Sequence, residues 1–236
     1  MQTRLLCLYF FSGLLLFGLA NGSQPDSVRI ATYNLRNYLI EDRRVEGRWR
    51  PEYPKPEAEK KAVWAVLAAA QPDIIVFQEM GSPPFLEELQ NDLKTLGLVY
   101  SYHHVVEAVD EKRHLAILSK YPFQISEGYH TLDFPYFGER IGVKRGLLEA
   151  RFAFENTAFT LFGVHLKSRY TDNREDPDSA KRRSGEARTL RNYIREQFPP
   201  ETNPEYLIVG DFNDTRRSSP LNYFLSVSDT VLTEAV

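Results

Sequence analysis

Four apolar runs in this chain break off into residues that bind metal ions or phosphate: Thr32-Tyr33-Asn34, Phe77-Gln78-Glu79, Gly163-Val164-His165 and Gly210-Asp211-Phe212-Asn213. The ends of buried strands are where α/β proteins assemble sites. Taken singly, each residue has an ordinary role: Asn34 can close a turn, Glu79 can be a solvated acid, His165 a hydrogen-bonded core histidine, and Asp211-Phe212-Asn213 an Asx turn. Four such endings in one chain point instead to a shared site, and the chemistry that wants this set is hydrolysis of a phosphate ester. A hard divalent ion such as magnesium binds through one or two carboxylates and keeps its water and substrate oxygens. Glu79 assisted by Asn34 is therefore the expected metal pair, with manganese and calcium as substitutes of the same hard class. Asp211 is placed to orient or deprotonate the attacking water, and Asn213 and His165 to donate to phosphate oxygens. Zinc fits poorly, because the sole cysteine is Cys7, near the N-terminus, and His103 and His104 are adjacent, facing opposite ways on a strand.

These residues need elements to hold them, and helical and strand periodicities alternate along the chain in the manner of a mixed α/β domain. Val28 to Tyr33 reads as a strand, followed by an Arg- and Pro-rich loop from Arg36 to Pro56. A helix is predicted from about Glu57 to Pro72, with Val63, Val66, Leu67 and Ala70 facing inward. Ile74 to Phe77 reads as a strand covered on both faces. Ser82-Pro83 opens a second helix with Leu86, Leu89, Leu93 and Leu96 on one face and Gly97 as its stop. A hairpin is expected between Val99 and Leu118, turning at Asp110 to Arg113. A second antiparallel pair runs from Leu148 to Phe154 and from Phe159 to Val164, joined at Glu155-Asn156-Thr157. A helix from about Asp178 to Phe198 turns Ala187, Leu190 and Ile194 inward and presents its charges to solvent; a strand at Leu207 to Val209 and a short helix from Pro220 close the visible pattern.

The order Tyr33-Asn34-Leu35, Gln78-Glu79, Ala116-Ile117-Leu118-Ser119, Val164-His165-Leu166-Lys167-Ser168 and Gly210-Asp211-Phe212-Asn213 resembles the endonuclease/exonuclease/phosphatase superfamily, over nearly all of the chain after residue 27. The resemblance implies an α/β fold of two mixed β-sheets packed face to face with helices outside. It also implies a metal-ligand role for Glu79, support from Asn34, phosphate contact by His165, and water positioning by Asp211 with Asn213. Lys167, in the histidine element, joins them as a substrate contact. That family's pattern continues past Gly-Asp-Phe-Asn to a terminal Ser-Asp-His, whereas Ser228-Asp229-Thr230 here has no histidine. The chain is accordingly expected to stop before the fold's last strands, and to be inactive or nearly so in this form.

Composition sets further bounds. With 29 basic against 32 acidic residues the chain carries −3, which excludes a protein that coats nucleic acid by global charge; an anionic substrate must be gripped locally. The local candidates lie just after Asn34: Arg43, Arg44, Arg48 and Arg50, within a segment also holding Glu41, Asp42, Glu46 and Glu52. They read either as contacts to a phosphodiester strand, most simply nucleic acid, or as a solvated, partly paired loop. A nuclease-type phosphodiesterase is the leading function. The alternatives are a phospholipid or phosphomonoester hydrolase of the same fold, with Phe134-Pro135-Tyr136-Phe137 as a membrane-touching tip or as core, and a catalytically dead binding module. Arg4, the apolar run Leu5 to Leu19 and the small residues Ala20-Asn21-Gly22 read as a signal peptide over residues 1–22. The expected product is an exported, secreted or periplasmic domain over residues 23–236 without a thiol.

Overall fold

Two four-stranded sheets hold the chain's apolar runs. The structure, a computed structural model, describes residues 27–126, 132–155, 157–202, 204–227 and 230–231; the signal-peptide reading, Asn156, and Ser228 with Asp229 lie outside the described residues. In chain order, β1 (Ile30–Tyr38) leads into β2 (Glu41–Val45) and β3 (Arg48–Tyr53), then α1 (Glu57–Ala70), β4 (Ile74–Met80) and α2 (Pro83–Thr95). Next come β5 (Tyr102–Val106), β6 (His114–Ser119), β7 (Gln124–Ile125), β8 (Asp133–Tyr136), β9 (Glu139–Gly142), β10 (Leu148–Ala153) and β11 (Ala158–His165). The remainder is α3 (Ala180–Gln197), β12 (Tyr206–Asp211), α4 (Ser219–Leu225) and the short pair β13 (Ser226–Val227) and β14 (Thr230–Val231).

The first sheet has the order β1-β4-β6-β5 and the second β12-β11-β10-β7. β4 is buried along nearly its whole length because each of its faces meets a different layer. Ile74 and Val76 pack with Leu148, Ala150, Leu161 and Val164 of the second sheet, while Ile75 and Phe77 pack with Val63 and Leu67 of α1 and Leu86, Leu89 and Leu93 of α2. Period-two alternation on a doubly covered strand produces the continuous apolar run seen in sequence. The sheets approach closest at Gly163, where a Cβ would stand 2.7 Å from Val76 Cγ1 and 3.0 Å from Leu148. On the far side of the second sheet, Ala187, Leu190 and Ile194 of α3 join the core.

The helices end where local chemistry stops them. Pro83 and Pro84 occupy the first positions of α2, where a missing N–H has no intrahelical partner to lose. Gln71 closes α1 in the left-handed conformation, its N–H on the Leu67 carbonyl, and Pro72 forbids continuation.

Three expectations are corrected and one open alternative is divided between its two residues. Residues 36–56 are not a plain loop: β1 runs on to Tyr38, and β2 and β3 form a ribbon whose two-residue turn, Glu46-Gly47, has both φ angles positive (51° and 79°). That is the hairpin turn whose twist matches paired strands, formed here without the Asn or Asp that usually signals it. Val66 and Leu96, expected inside, are 51% and 49% exposed, because each lies just beyond the stripe its helix turns to the sheet. The charged face of α3 is not wholly solvated, since Arg183 and Glu186 are buried. Finally, Phe134 is core, its ring so close to Gly185 of α3 that a Cβ there would lie 2.4 Å away, while Phe137 at the β8–β9 turn is exposed beneath the Lys181 ammonium, 4.7 Å from the ring centroid.

Candidate active site

Two parallel strand pairs end at the same edge of the molecule. β1 runs parallel to β4, pairing Asn34 with Gln78 beside Glu79, and β11 runs parallel to β12, pairing His165 with Asp211. β1 and β12 lie against each other, so the two strand ends face one another across the gap between sheets. Asn34 bridges them: its Nδ2 donates to Asp211 Oδ2 at 2.9 Å and to Glu79 Oε1 at 3.3 Å. His165 Nε2 lies 4.0 Å from the same Glu79 oxygen.

The backbone bends to make this junction. Register shifts interrupt β4 on both sides, between Phe77 and Met80 against β6 and between Asn34 and Tyr38 of β1. Arg36, Asn37, Glu79 and Asn213 all have positive φ (50°, 62°, 59° and 51°). Non-glycine residues held there cost on the order of 1 kcal/mol each and gather at functional sites. The effect is to turn Glu79 out of the pleat, where its Oε2 accepts the Asn37 N–H at 3.0 Å. Gly210 has a separate reason to be glycine: at φ 140° a Cβ would sit 1.9 Å from the Val164 carbonyl oxygen.

Asp211 and Asn213 are held as firmly. Asp211 Oδ1 accepts the Asn213 N–H at 2.8 Å, an Asx turn, so the ordinary reading of this motif and its place in the site are both true. Asn213 Nδ2 donates to the Leu166 carbonyl at 2.8 Å, which ties the loop after β12 to the loop after β11. The structure thus assembles Asn34, Glu79, His165, Asp211 and Asn213 into one cluster, with Lys167 two residues beyond the histidine. It does not assemble the arginines with them. Arg43 turns back to the ribbon's root, donating to the carbonyls of Tyr53, Asn37 and Leu39, while Arg44, Arg48 and Arg50 are exposed on the ribbon.

One wall of the site is cationic. Arg145 is only 5% exposed, and its Nε lies 3.2 Å from Asp110 Oδ2. Burial and neighbouring cations oppose charge here, and the effects are large. Burial lowers the His165 pKa to about 4, reinforced by Arg145, so the imidazole is neutral at ordinary pH. The Lys167 ammonium is pushed down to about 8, by burial first and then by Arg145, Lys144 and Arg182. Asp110 is desolvated too, yet Arg145 and Lys144 hold its carboxyl below the usual range. His165 Nδ1 and Arg145 Nη1 are buried without a hydrogen-bond partner. Such groups are destabilising unless something occupies the site with them, and an anion would satisfy both.

Sequence reasoning missed this wall. Arg145 and Arg113 precede strands and His114 opens one, instead of following them, but β6 and β10 run antiparallel to β4 and β11. Met80 pairs with His114 and Leu148 with Gly163, so the starts of β6 and β10 reach the same edge as the ends of β4 and β11. Asn37 was missed too, although its Oδ1 accepts from Arg113 Nε at 2.7 Å.

Beneath the wall, α3 grips a single residue. Arg183 Nη1 donates to the Lys167 carbonyl at 3.2 Å, and Glu186 Oε2, one turn on, accepts the Lys167 N–H at 2.7 Å. Glu186 Oε1 accepts the Lys144 N–H at 3.2 Å, beside Arg145, and Arg183 Nε donates to Asp214 Oδ2 at 2.8 Å, beside Asn213. Three loops of the site are thus fastened to one helix by two buried charged side chains.

Among the described residues no group of three or more His, Cys, Asp and Glu side chains forms a ready cage for a metal ion. The Glu79 carboxylate fits a hard divalent ion, which needs one or two carboxylates and keeps its waters, whereas the Asn34 amide turns its Nδ2 to Glu79 and Asp211 and its Oδ1 to the Arg36 N–H at 2.9 Å, so it would join as a ligand only by presenting that oxygen instead.

The family model described as Endonuclease/Exonuclease/phosphatase family matches residues 31–229. No curated protein sequence matches the chain. Among solved structures, a β-hairpin deletion mutant of β toxin from Staphylococcus aureus is similar with a TM-score of 0.54 at 14% identity, over 84% of this chain and 71% of that one. Sphingomyelinase C from Streptomyces griseocarneus gives 0.53 at 17%, over 86% and 69%. TDP2 of D. rerio, humanized by 14 mutations, gives 0.50 at 17%, over 80% and 63%.

Proposed function

The chain belongs to the endonuclease/exonuclease/phosphatase family, a fold of phosphoester hydrolases, and we propose that this member is a divalent-metal-dependent phosphodiesterase acting on nucleic acid. The observation that carries the reading is the pairing of two unlike halves in one gap: the Asn34–Glu79–Asp211 knot, rich in oxygen, and the buried Arg145 with the half-buried Lys167 around a neutral His165. Phosphate-ester hydrolysis needs both, a place for a hard ion and water on one side and donors for the charged oxygens on the other.

Glu79 and Asn34 would hold the ion, whose contribution is Lewis-acid polarisation of the phosphoryl oxygen. The chain's own groups account for the rest. Arg145 and Lys167 draw the phosphate to the wall. Neutral His165 donates a hydrogen bond to a phosphoryl oxygen through whichever ring nitrogen carries the proton. Asp211, its carboxylate aligned by Asn34 and the Asn213 N–H, orients the attacking water. Asn213 is assigned a tethering role through Leu166 in addition to any contact with phosphate.

An apolar cavity of about 510 Å³ lined by Phe123, Phe152 and Phe159 opens at the opposite ends of β10 and β11 from His165, so it does not wall this site. We also propose that the protein acts outside its cell or in a periplasm, on the signal-like composition of residues 1–22. No described helix is long and apolar enough to cross a membrane.

The test is Glu79→Gln. A neutral amide is a much poorer partner for a hard cation, so calorimetric magnesium titration should lose its binding isotherm, and whatever hydrolysis of bis(p-nitrophenyl) phosphate the natural chain shows should fall to background, with thermal unfolding little changed. Equal metal affinity and turnover in the variant would reject the assignment.

A further inference from the structure

The β2–β3 ribbon is held rigidly and displays a tryptophan to solvent. An isolated two-stranded ribbon is marginal in water, yet this one is pinned at its root. Arg43 donates to three backbone carbonyls, Arg113 reaches Glu41 Oε2 at 2.7 Å, Asp42 Oδ1 accepts the Glu52 N–H at 2.9 Å, and Lys55 Nζ donates to the Arg36 carbonyl at 3.2 Å. The root is also part of the site, because Asn37 accepts from Arg43 Nη2 through its carbonyl and donates to Glu79 through its N–H. Every residue of β3 is exposed, and Trp49 is 66% exposed. Directly across the ribbon from Trp49 is Arg44, its Nε fixed on the Gly47 carbonyl at 3.0 Å. Arg48 and Arg50, one position either side of Trp49, leave from the other face and are likewise exposed.

We propose that this ribbon is a strand-docking arm, on which Trp49 stacks against an unpaired nucleobase while Arg44, Arg48 and Arg50 neutralise the phosphates flanking it. The proposal rests on the nuclease reading of the site and adds a substrate class: single-stranded or frayed nucleic acid. An exposed indole with one arginine on its own face and two more at the adjoining strand positions combines the two means of holding single strands without regard to sequence, stacking supplying the affinity for bases and arginine that for the backbone. Of the ribbon's acids, Glu41 is paired with Arg113 and Asp42 is turned to the Glu52 N–H, while the exposed Glu46 and Glu52 carboxylates temper the arginine charge and leave the stack on Trp49 as the larger contribution. A membrane-touching tip is the other use for an exposed aromatic, but the outermost turn here carries the Glu46 carboxylate, which resists burial among lipid headgroups and acyl chains. Reach decides the size of the ligand. The five residues of β2 extend about 17 Å, so a strand that touches both Trp49 and Glu79 must be on the order of five nucleotides long.

The chain has two tryptophans, so Trp64→Phe leaves Trp49 as the only indole reporter. The full chain in this background is titrated, with a chelator present to prevent hydrolysis, with an octathymidylate, an abasic deoxyribose-phosphate octamer and vesicles of phosphatidylserine and phosphatidylcholine. The octathymidylate should quench the fluorescence and the abasic octamer should not. In the otherwise natural chain, Trp49→Ala should weaken octathymidylate binding roughly 5- to 150-fold, the equivalent of one base–aromatic stack, while turnover of bis(p-nitrophenyl) phosphate is unchanged. Quenching and affinity equal for the abasic octamer, no effect of Trp49→Ala, or a response to vesicles alone would each overturn the proposal. Quenching by the octamer in a protein that turns over no diester would instead count against the phosphodiesterase reading and leave the arm standing.

Discussion

Glu186→Gln asks whether the α3 clamp positions the chemistry. The carboxylate is fully buried and uses its two oxygens on two different backbone donors, the N–H groups of Lys144 and Lys167. Burial pushes its carboxyl above the ordinary value, the more so because only the Lys167 and Lys144 N–H groups and the nearby Arg145 and Arg182 support its charge. Glutamine keeps the shape but offers one acceptor and one NH₂, so one backbone N–H must face a donor. An unsatisfied buried donor costs about 1–3 kcal/mol, which sets the expected loss of stability in urea unfolding at constant m-value. The larger effect is on rate. Lys167 is two residues from His165, and Lys144 adjoins Arg145, so a shift of either peptide moves a phosphate contact. Misplacement on the order of 1 Å can lower turnover by about 100-fold. The expected result is therefore a kcat loss on a diester substrate out of proportion to the loss of stability, with metal affinity preserved and a pH–rate profile displaced through Lys167. Glu186→Asp, which keeps both oxygens but shortens the reach, should recover part of the rate. A Glu186→Gln variant within about 0.5 kcal/mol of the natural chain and equal to it in turnover would refute the positioning role.

Two further predictions concern the strand ends. His165 is buried neutral with a pKa lowered from 6.5 to about 4, so the unfolded chain binds more protons between these values; stability should rise with pH across that window and fall on acidification by on the order of 3 kcal/mol. Chemical denaturation at pH 4 and 7 of the natural chain and of His165→Gln checks this, a slope unaltered in the variant assigning the acid loss elsewhere. Gly210→Ala should prevent or severely weaken folding, because its Cβ would collide with the Val164 carbonyl that lies across the β11–β12 pair; a variant with unchanged circular dichroism and melting temperature would show that the pairing can move apart.

Much of this protein was legible in one dimension. Runs such as Ile74 to Phe77 announced buried strands, Pro72, Pro83 and Gly97 marked where helices stop and start, and the polar residues directly after strands named Asn34, Glu79, His165, Asp211 and Asn213, because in parallel pairs the ends of strands lie together. What the sequence could not carry was antiparallel and long-range. Arg145 and Arg113 stand before their strands and reach the site solely because β10 and β6 run the other way; Arg183 and Glu186 looked like members of a solvated charge run until α3 was laid on the loops after β11 and β12; and Arg43, grouped with Arg44, Arg48 and Arg50 by composition and sharing a face with Arg50, was set apart by the Asn37, Leu39 and Tyr53 carbonyls that hold it at the ribbon's root. Local pattern reports the period of burial along a strand or helix, but the environment of a charge is set by the neighbours that tertiary packing brings to it, and those lie tens of residues away in the chain.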